Sequence, residues 1–154
     1  MHIYIMRHGD AETFAASDAE RPLSQMGHDQ SLKVAQRCRD NGQEEFDLVL
    51  VSPYLRAQQT WKTISPILKA NNVEDCSDIT PYGDSETVVE YVCALAETQF
   101  LQNILLVSHL PLVGYLTADF VTDMPPPMFP TSGMVCIDFD VDTRKGQIIW
   151  QAQP

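Results

Sequence analysis

Arg7-His8-Gly9 closes the first apolar run of the chain. Arginine offers a planar fork of donors for a phosphate or carboxylate. Imidazole serves as nucleophile, base or metal ligand. Glycine lets the backbone turn tightly or come close to a ligand. The tripeptide alone suits a strand end with a solvated arginine equally well. Its weight comes from the ends of later runs: Ser52 and Arg56 after the second, Asp84 after a turn, Ser108 and His109 after another. Singly, Arg56 reads as a solvated residue in a first helical turn and His109 as a structural histidine. Jointly, two arginines and two histidines at three strand ends describe a pocket for a dianion such as phosphate.

These residues meet only if the runs before them are neighbouring strands. Met1–Met6 reads as the first strand on the apolar run Ile3–Met6, followed by an irregular stretch from Asp10 to Pro22 that carries Arg21. Ser24 caps a helix to about Asp40, with Leu32, Val34, Ala35, Gln36 and Cys38 on its inner side. Gly27 weakens the first turn and argues for a later start. Phe46–Val51 is a second strand whose unbroken apolar run suits burial on both faces. Ser52-Pro53 starts a helix towards Lys69, broken near Pro66 and closed by Asn71-Asn72. Cys76–Thr80 is a weak third strand. Pro81–Asp84 is a turn, and Ser85 caps a helix with Val88, Val89, Val92, Leu95 and Ala96 inward.

Asn103–Ser108 is the fourth strand, and Pro111–Phe120 the fourth helix. The proline-rich stretch Met124–Pro130 is extended, as a cleft wall or a linker. Met134–Val141 and Gln147–Trp150 form a hairpin around residues 142–146. The order is β-α-β-α-β-α-β-α and then a hairpin. It predicts an α/β fold, a three-layer αβα sandwich with a mostly parallel sheet and an antiparallel C-terminal edge. In such sheets ligands bind at the carboxyl ends of the strands, where all the residues above lie. Helix N-termini at that edge add N–H groups and partial positive charge.

The 154 residues suit one domain, 1–154, with a real core. A net charge of −11 argues against a nucleic-acid partner, which needs a basic footprint. It leaves room for a few arginines gathered in a cleft, and for a protein partner with a neutral or basic docking face. No apolar run is long enough for a membrane span. The first six residues lack a basic segment and a long apolar stretch, so no export signal and a cytoplasmic location are expected. Cys38, Cys76, Cys93 and Cys136 lack C-x-x-C spacing and are expected to be buried free thiols. No carboxylate cluster has magnesium spacing, so no metal or cofactor is expected. His2 and His28 carry no expected chemical role, and nothing demands more than a monomer.

Arg7-His8-Gly9, Ser52-Pro53-x-x-Arg56-Ala57-x-x-Thr60 and Ser108-His109 resemble the motifs of the histidine phosphatase (phosphoglycerate mutase-like) superfamily. Within it the chain is most similar to the SixA-type phosphohistidine phosphatases. Ile5–Ala11, Arg21-Pro22-Leu23, Leu50–Ala57, Ser108–Leu116 and the Pro126–Phe129 loop carry the likeness. The resemblance implies a metal-independent hydrolase with His8 as nucleophile through a phosphohistidine intermediate. Arg7, Arg56 and His109 would hold the phosphoryl oxygens, and Arg21 would reach the pocket rim as a substrate-binding residue.

Relatives acting on phosphate esters usually carry a leaving-group acid after the third strand. Here that region offers only Asp84 and Glu86, which also suit a helix start. No large insertion forms a cap over the cleft. Both departures favour a phosphohistidine-bearing protein, a phosphotransfer domain or phosphocarrier, as substrate, with a place in two-component signalling. A small-molecule phosphomonoesterase using Asp84 or Glu86 is one alternative. A non-catalytic phosphate-binding adaptor is another.

Overall fold

Six strands in one sheet organise the chain in the computed structural model, which describes residues 1–154. They are β1 (His2–Arg7), β2 (Glu45–Val51), β3 (Lys69–Asp75), β4 (Asn103–Ser108), β5 (Met134–Asp140) and β6 (Lys145–Ala152). Their order is β3-β2-β4-β1-β5-β6. The first four are parallel, and β5 and β6 extend the sheet by antiparallel pairing. The helices are α1 (Gln25–Asp40), α2 (Leu55–Ile64), α3 (Ser85–Gln99) and α4 (Leu112–Phe120). This is the expected three-layer α/β sandwich.

Side-chain alternation builds a core on each face of the sheet. Tyr4, Met6, Val49, Val51, Leu105 and Val107 meet Val34, Ala35 and Cys38 of α1 and Ala57 and Ile64 of α2. Ile3, Ile5, Leu48, Leu50, Ile104 and Leu106 meet Val88, Val92 and Cys93 of α3 and Leu112, Val113, Leu116 and Phe120 of α4. Burial on both faces is why these strands read as unbroken apolar runs.

Register then sets the site. Arg7 is level with Ser108, and Val51 is level with Val107. The residues that follow β1, β2 and β4 therefore emerge side by side at one edge.

Local elements differ from the sequence expectations where tertiary contacts override pattern. The helix after β2 starts at Leu55 and ends at Ile64, so Ser52 is no helix cap and Pro66 lies in the turn beyond. The third strand is Lys69–Asp75, not Cys76–Thr80. It is a polar edge strand paired only with β2, so no apolar period marks it. Residues Ser77–Ile79 form a 3-10 turn that buries Ile79. Asp84, not Ser85, caps α3: its carboxylate accepts from the Thr87 N–H at 3.1 Å and the Thr87 hydroxyl at 2.7 Å. Cys93 is buried in α3, while Val89 and Leu95 are half-buried. On α1 Leu32 and Gln36 face solvent, and Ser31 takes a buried place. All four cysteines are free and buried. Burial pushes the Cys38 thiol up to about 12 and Cys136 up to about 11. No helix is long and apolar enough to cross a membrane.

α1 begins directly after Ser24, whose hydroxyl accepts from the Gly27 N–H at 3.0 Å. Gly27 does not delay the helix, because the loop after β1 presses on it. A Cβ at Gly27 would overlap the Asp10 carbonyl oxygen. One at Gly9 would lie 2.8 Å from both the Gly27 carbonyl oxygen and Ser31 Oγ. Two facing glycines thus let α1 seat the Arg7-His8-Gly9 loop. Gly27→Ala is expected to destabilise the fold by about 1–3 kcal/mol, despite its better helix propensity. Urea unfolding checks this.

Candidate active site

β1 ends on Arg7, and two neighbours fix it. Its backbone N–H donates to the Gly133 carbonyl at 2.9 Å, and its Nη1 donates to the Phe129 carbonyl at 2.8 Å. The proline-rich stretch therefore walls the cleft. Arg7 Nε is buried and has no protein partner. Burial, and then the charge of Arg56, push the Arg7 guanidinium below its usual range.

His8 is clamped at every backbone polar group nearby. Its N–H donates to the Ser108 carbonyl at 2.9 Å, and its carbonyl accepts from the Ser132 N–H at 3.0 Å. The next N–H, of Gly9, donates to Thr60 Oγ1 at 3.0 Å. The His8 ring lies with Nδ1 2.7 Å from the Gly9 carbonyl oxygen. A carbonyl only accepts, so Nδ1 carries the proton and Nε2 keeps its lone pair. Arg56 Nε donates to that Nε2 at 3.3 Å. Burial is the main cause that lowers His8 to about 4, with Arg56, Arg7 and Arg21 lowering it further against the Gly9 bond.

Arg56 sits in the first turn of α2, 4 % exposed. Its far edge runs outward: Nη1 donates to the Asp18 carbonyl at 2.7 Å, and Nη2 donates to the Asp18 carboxylate at 3.2 Å. The guanidinium also lies 5.0 Å from the Tyr54 ring centroid, a cation–π distance. Thr60 Oγ1 donates to the Arg56 carbonyl at 2.7 Å, tying α2 to the Gly9 loop. His109 is buried after β4, with its ring 5.0 Å from that of His8. Its Nε2 lies 2.7 Å from Ser52 Oγ, and its Nδ1 is buried without a protein partner. Burial, then the charges of His8 and Arg56, lower His109 to about 3.

Arg7, His8, Arg56 and His109 come together as the strand ends suggest. Arg21 stands at the rim, its Nε donating to the Glu12 carbonyl at 2.9 Å and its Nη1 to Asp18 at 3.1 Å. Asp84 is engaged in capping α3, and Glu86 is exposed. Sequence reading missed Asp18, the Ser52 contact to His109 and the Phe129 carbonyl. Thr60 stood in the motif after β2, but its contact to Gly9 N–H spans 51 residues. No group of three His, Cys, Asp or Glu side chains is placed to hold a metal ion. What converges instead is two guanidiniums and two neutral imidazoles. That array can bind a tetrahedral oxyanion and offer it a nitrogen lone pair.

Residues 3–79 match the model of the histidine phosphatase superfamily (branch 1). The chain is 41% identical over 156 residues to the phosphohistidine phosphatase SixA of Escherichia coli, covering 100% of this chain and 94% of that protein. It is 37% identical over 126 residues to a phosphohistidine phosphatase SixA homolog of Haemophilus influenzae, covering 77% of this chain and 76% of that protein. A solved structure of the protein histidine phosphatase SixA complexed with tungstate matches with a TM-score of 0.93 at 40% identity. That match covers 100% of this chain and 97% of the other.

The two lowered imidazoles make stability depend on pH. Between about pH 6.5 and 4 the unfolded chain binds protons on these rings and the folded chain does not. Stability is therefore expected to fall as pH drops from 7 to 5, by about 2 kcal/mol for each ring. Urea midpoints across this range check it, and His8→Asn should remove about half of the loss.

Proposed function

Because the chain belongs to the histidine phosphatase superfamily, we propose that it removes phosphate from a histidine on a partner protein, through a phosphoenzyme formed on His8. The observation that carries this reading is the His8 ring itself. Its Nδ1–H is held by the Gly9 carbonyl, and its Nε2 lone pair faces Arg56. Nε2 attacks phosphorus, the bond from phosphorus to the substrate imidazole breaks, and its electron pair leaves with that imidazole. Water then attacks the phosphorus of phospho-His8, releasing inorganic phosphate and restoring the ring. Arg7, Arg56 and His109 hold the phosphoryl oxygens and their growing charge in both steps. Arg21 binds substrate at the rim.

Engagement of Asp84 as a helix cap supports phosphohistidine over an ester. An ester needs an acid for its leaving alkoxide. An imidazole, with an ordinary pKa of about 6.5, leaves near neutral pH without one. The chain acts as one domain, 1–154, and as a monomer in the cytoplasm. Its partner is a phosphotransfer domain or phosphocarrier of a two-component relay. The net charge of −11 favours a neutral or basic docking face on that partner.

Release of phosphate from a ³²P-labelled phosphohistidine protein tests the reading, with para-nitrophenyl phosphate as the ester control. Wild type is expected to strip the protein quickly and the ester slowly, and His8→Ala to do neither. Asp84→Ala should cost about 1 kcal/mol of stability and leave turnover within about 2-fold. A collapse of turnover in that variant would instead favour an ester enzyme with Asp84 as its acid.

A further inference from the structure

One charged group at the pocket has no part in the chemistry above. Asp18 lies in the irregular stretch between β1 and α1, in the 3-10 turn Asp18–Glu20. Its carboxylate bridges two arginines, with Oδ2 3.2 Å from Arg56 Nη2 and Oδ1 3.1 Å from Arg21 Nη1. Its side chain is 49% exposed, against 5% for Arg56. His8 is buried, Arg56 touches its Nε2, and Arg56 in turn touches Asp18, so exposure rises from the nucleophile to the carboxylate. In-line displacement at phosphorus places the leaving group opposite the attacking nitrogen. With His8 buried, that is the open side of the pocket, where half-exposed Asp18 stands.

We propose that Asp18 sets the leaving-group preference of this pocket, favouring a departing imidazole and opposing a departing alkoxide. The inference rests on the phosphohistidine reading and adds a determinant to it. A phosphohistidine ring protonated on its remote nitrogen is a cation. A carboxylate at the mouth attracts it and favours the protonated form. When the phosphorus–nitrogen bond breaks, its electron pair neutralises the ring, which departs as imidazole. The remote proton stays where it is, so no acid is needed. In an ester the phosphorus–oxygen bond breaks and the alkoxide must gain a proton. Arg21 and Arg56 hold the Asp18 carboxyl below the usual carboxylate range, so it has none to give. Its charge also opposes the one growing on oxygen. The same carboxylate weakens the hold of Arg56 on a free inorganic anion.

The test uses the full chain with Asp18→Asn and Asp18→Glu. Three quantities are read: kcat/KM on the phosphohistidine protein, kcat/KM on β-glycerophosphate, an alkyl ester whose leaving group is an alkoxide, and the inhibition constant of inorganic phosphate. In Asp18→Asn the first is expected to fall about 3- to 5-fold and the second to rise by a similar factor, as one half-screened charge allows. Phosphate should inhibit about 3-fold more tightly. Asp18→Glu should restore the preference. If Asp18 only positions Arg56, both substrates slow together and phosphate binds more weakly, and the inference is overturned. An unchanged ratio also overturns it while leaving the phosphohistidine reading intact. Wild type that never strips the phosphoprotein ends both.

Discussion

The bond from Arg56 Nε to His8 Nε2 is the contact around which the site is built. It sets a guanidinium against an imidazole lone pair, away from water, with a second guanidinium close by. Such an arrangement is costly to hold together. Burial and like charge press Arg7 and both histidines towards their neutral forms. It persists because each group is tied to fixed acceptors. Arg7 has the Phe129 carbonyl, His8 the Gly9 carbonyl, and Arg56 both oxygens of Asp18 that face it.

That fixation is only as firm as the platform behind it. Two close-packed cores on opposite faces of one sheet hold β1, β2 and β4 level, so Arg7, Ser52 and His109 share an edge. Side-chain and backbone bonds then cross between elements far apart in sequence. Gly9 leans on Thr60, the His8 carbonyl on Ser132, and Ser132 on Ser31 of α1 at 2.9 Å. A protein of net charge −11 can thus keep a cationic pocket, because the positive groups are few and sheltered, with Arg56 buried and Arg7 half-buried. Acidic groups elsewhere stay exposed and screened by solvent.

Much of this was legible in the chain. The apolar runs located β1, β2 and β4, and the residues after them carried both arginines and both histidines of the site. The cap at Ser24 and the hairpin before the C-terminus were also readable, since each rests on local rules. β3 was not: Lys69–Asp75 is polar, and it becomes a strand only because β2 offers a free edge. Ser52 looked like a helix cap and instead meets His109, because the helix begins three residues later.

Which groups can do chemistry, and that they lie at strand ends, could be read along the chain, because side-chain type and apolar period are local properties. Which of them touch was settled by the folded arrangement alone. It made Asp84 a helix cap and Asp18 the counter-charge of Arg56, although both are aspartates in short irregular segments near a helix start. Pairing across 38 residues depends on strand register and loop path. No local pattern encodes those, since they follow from packing the whole chain against itself.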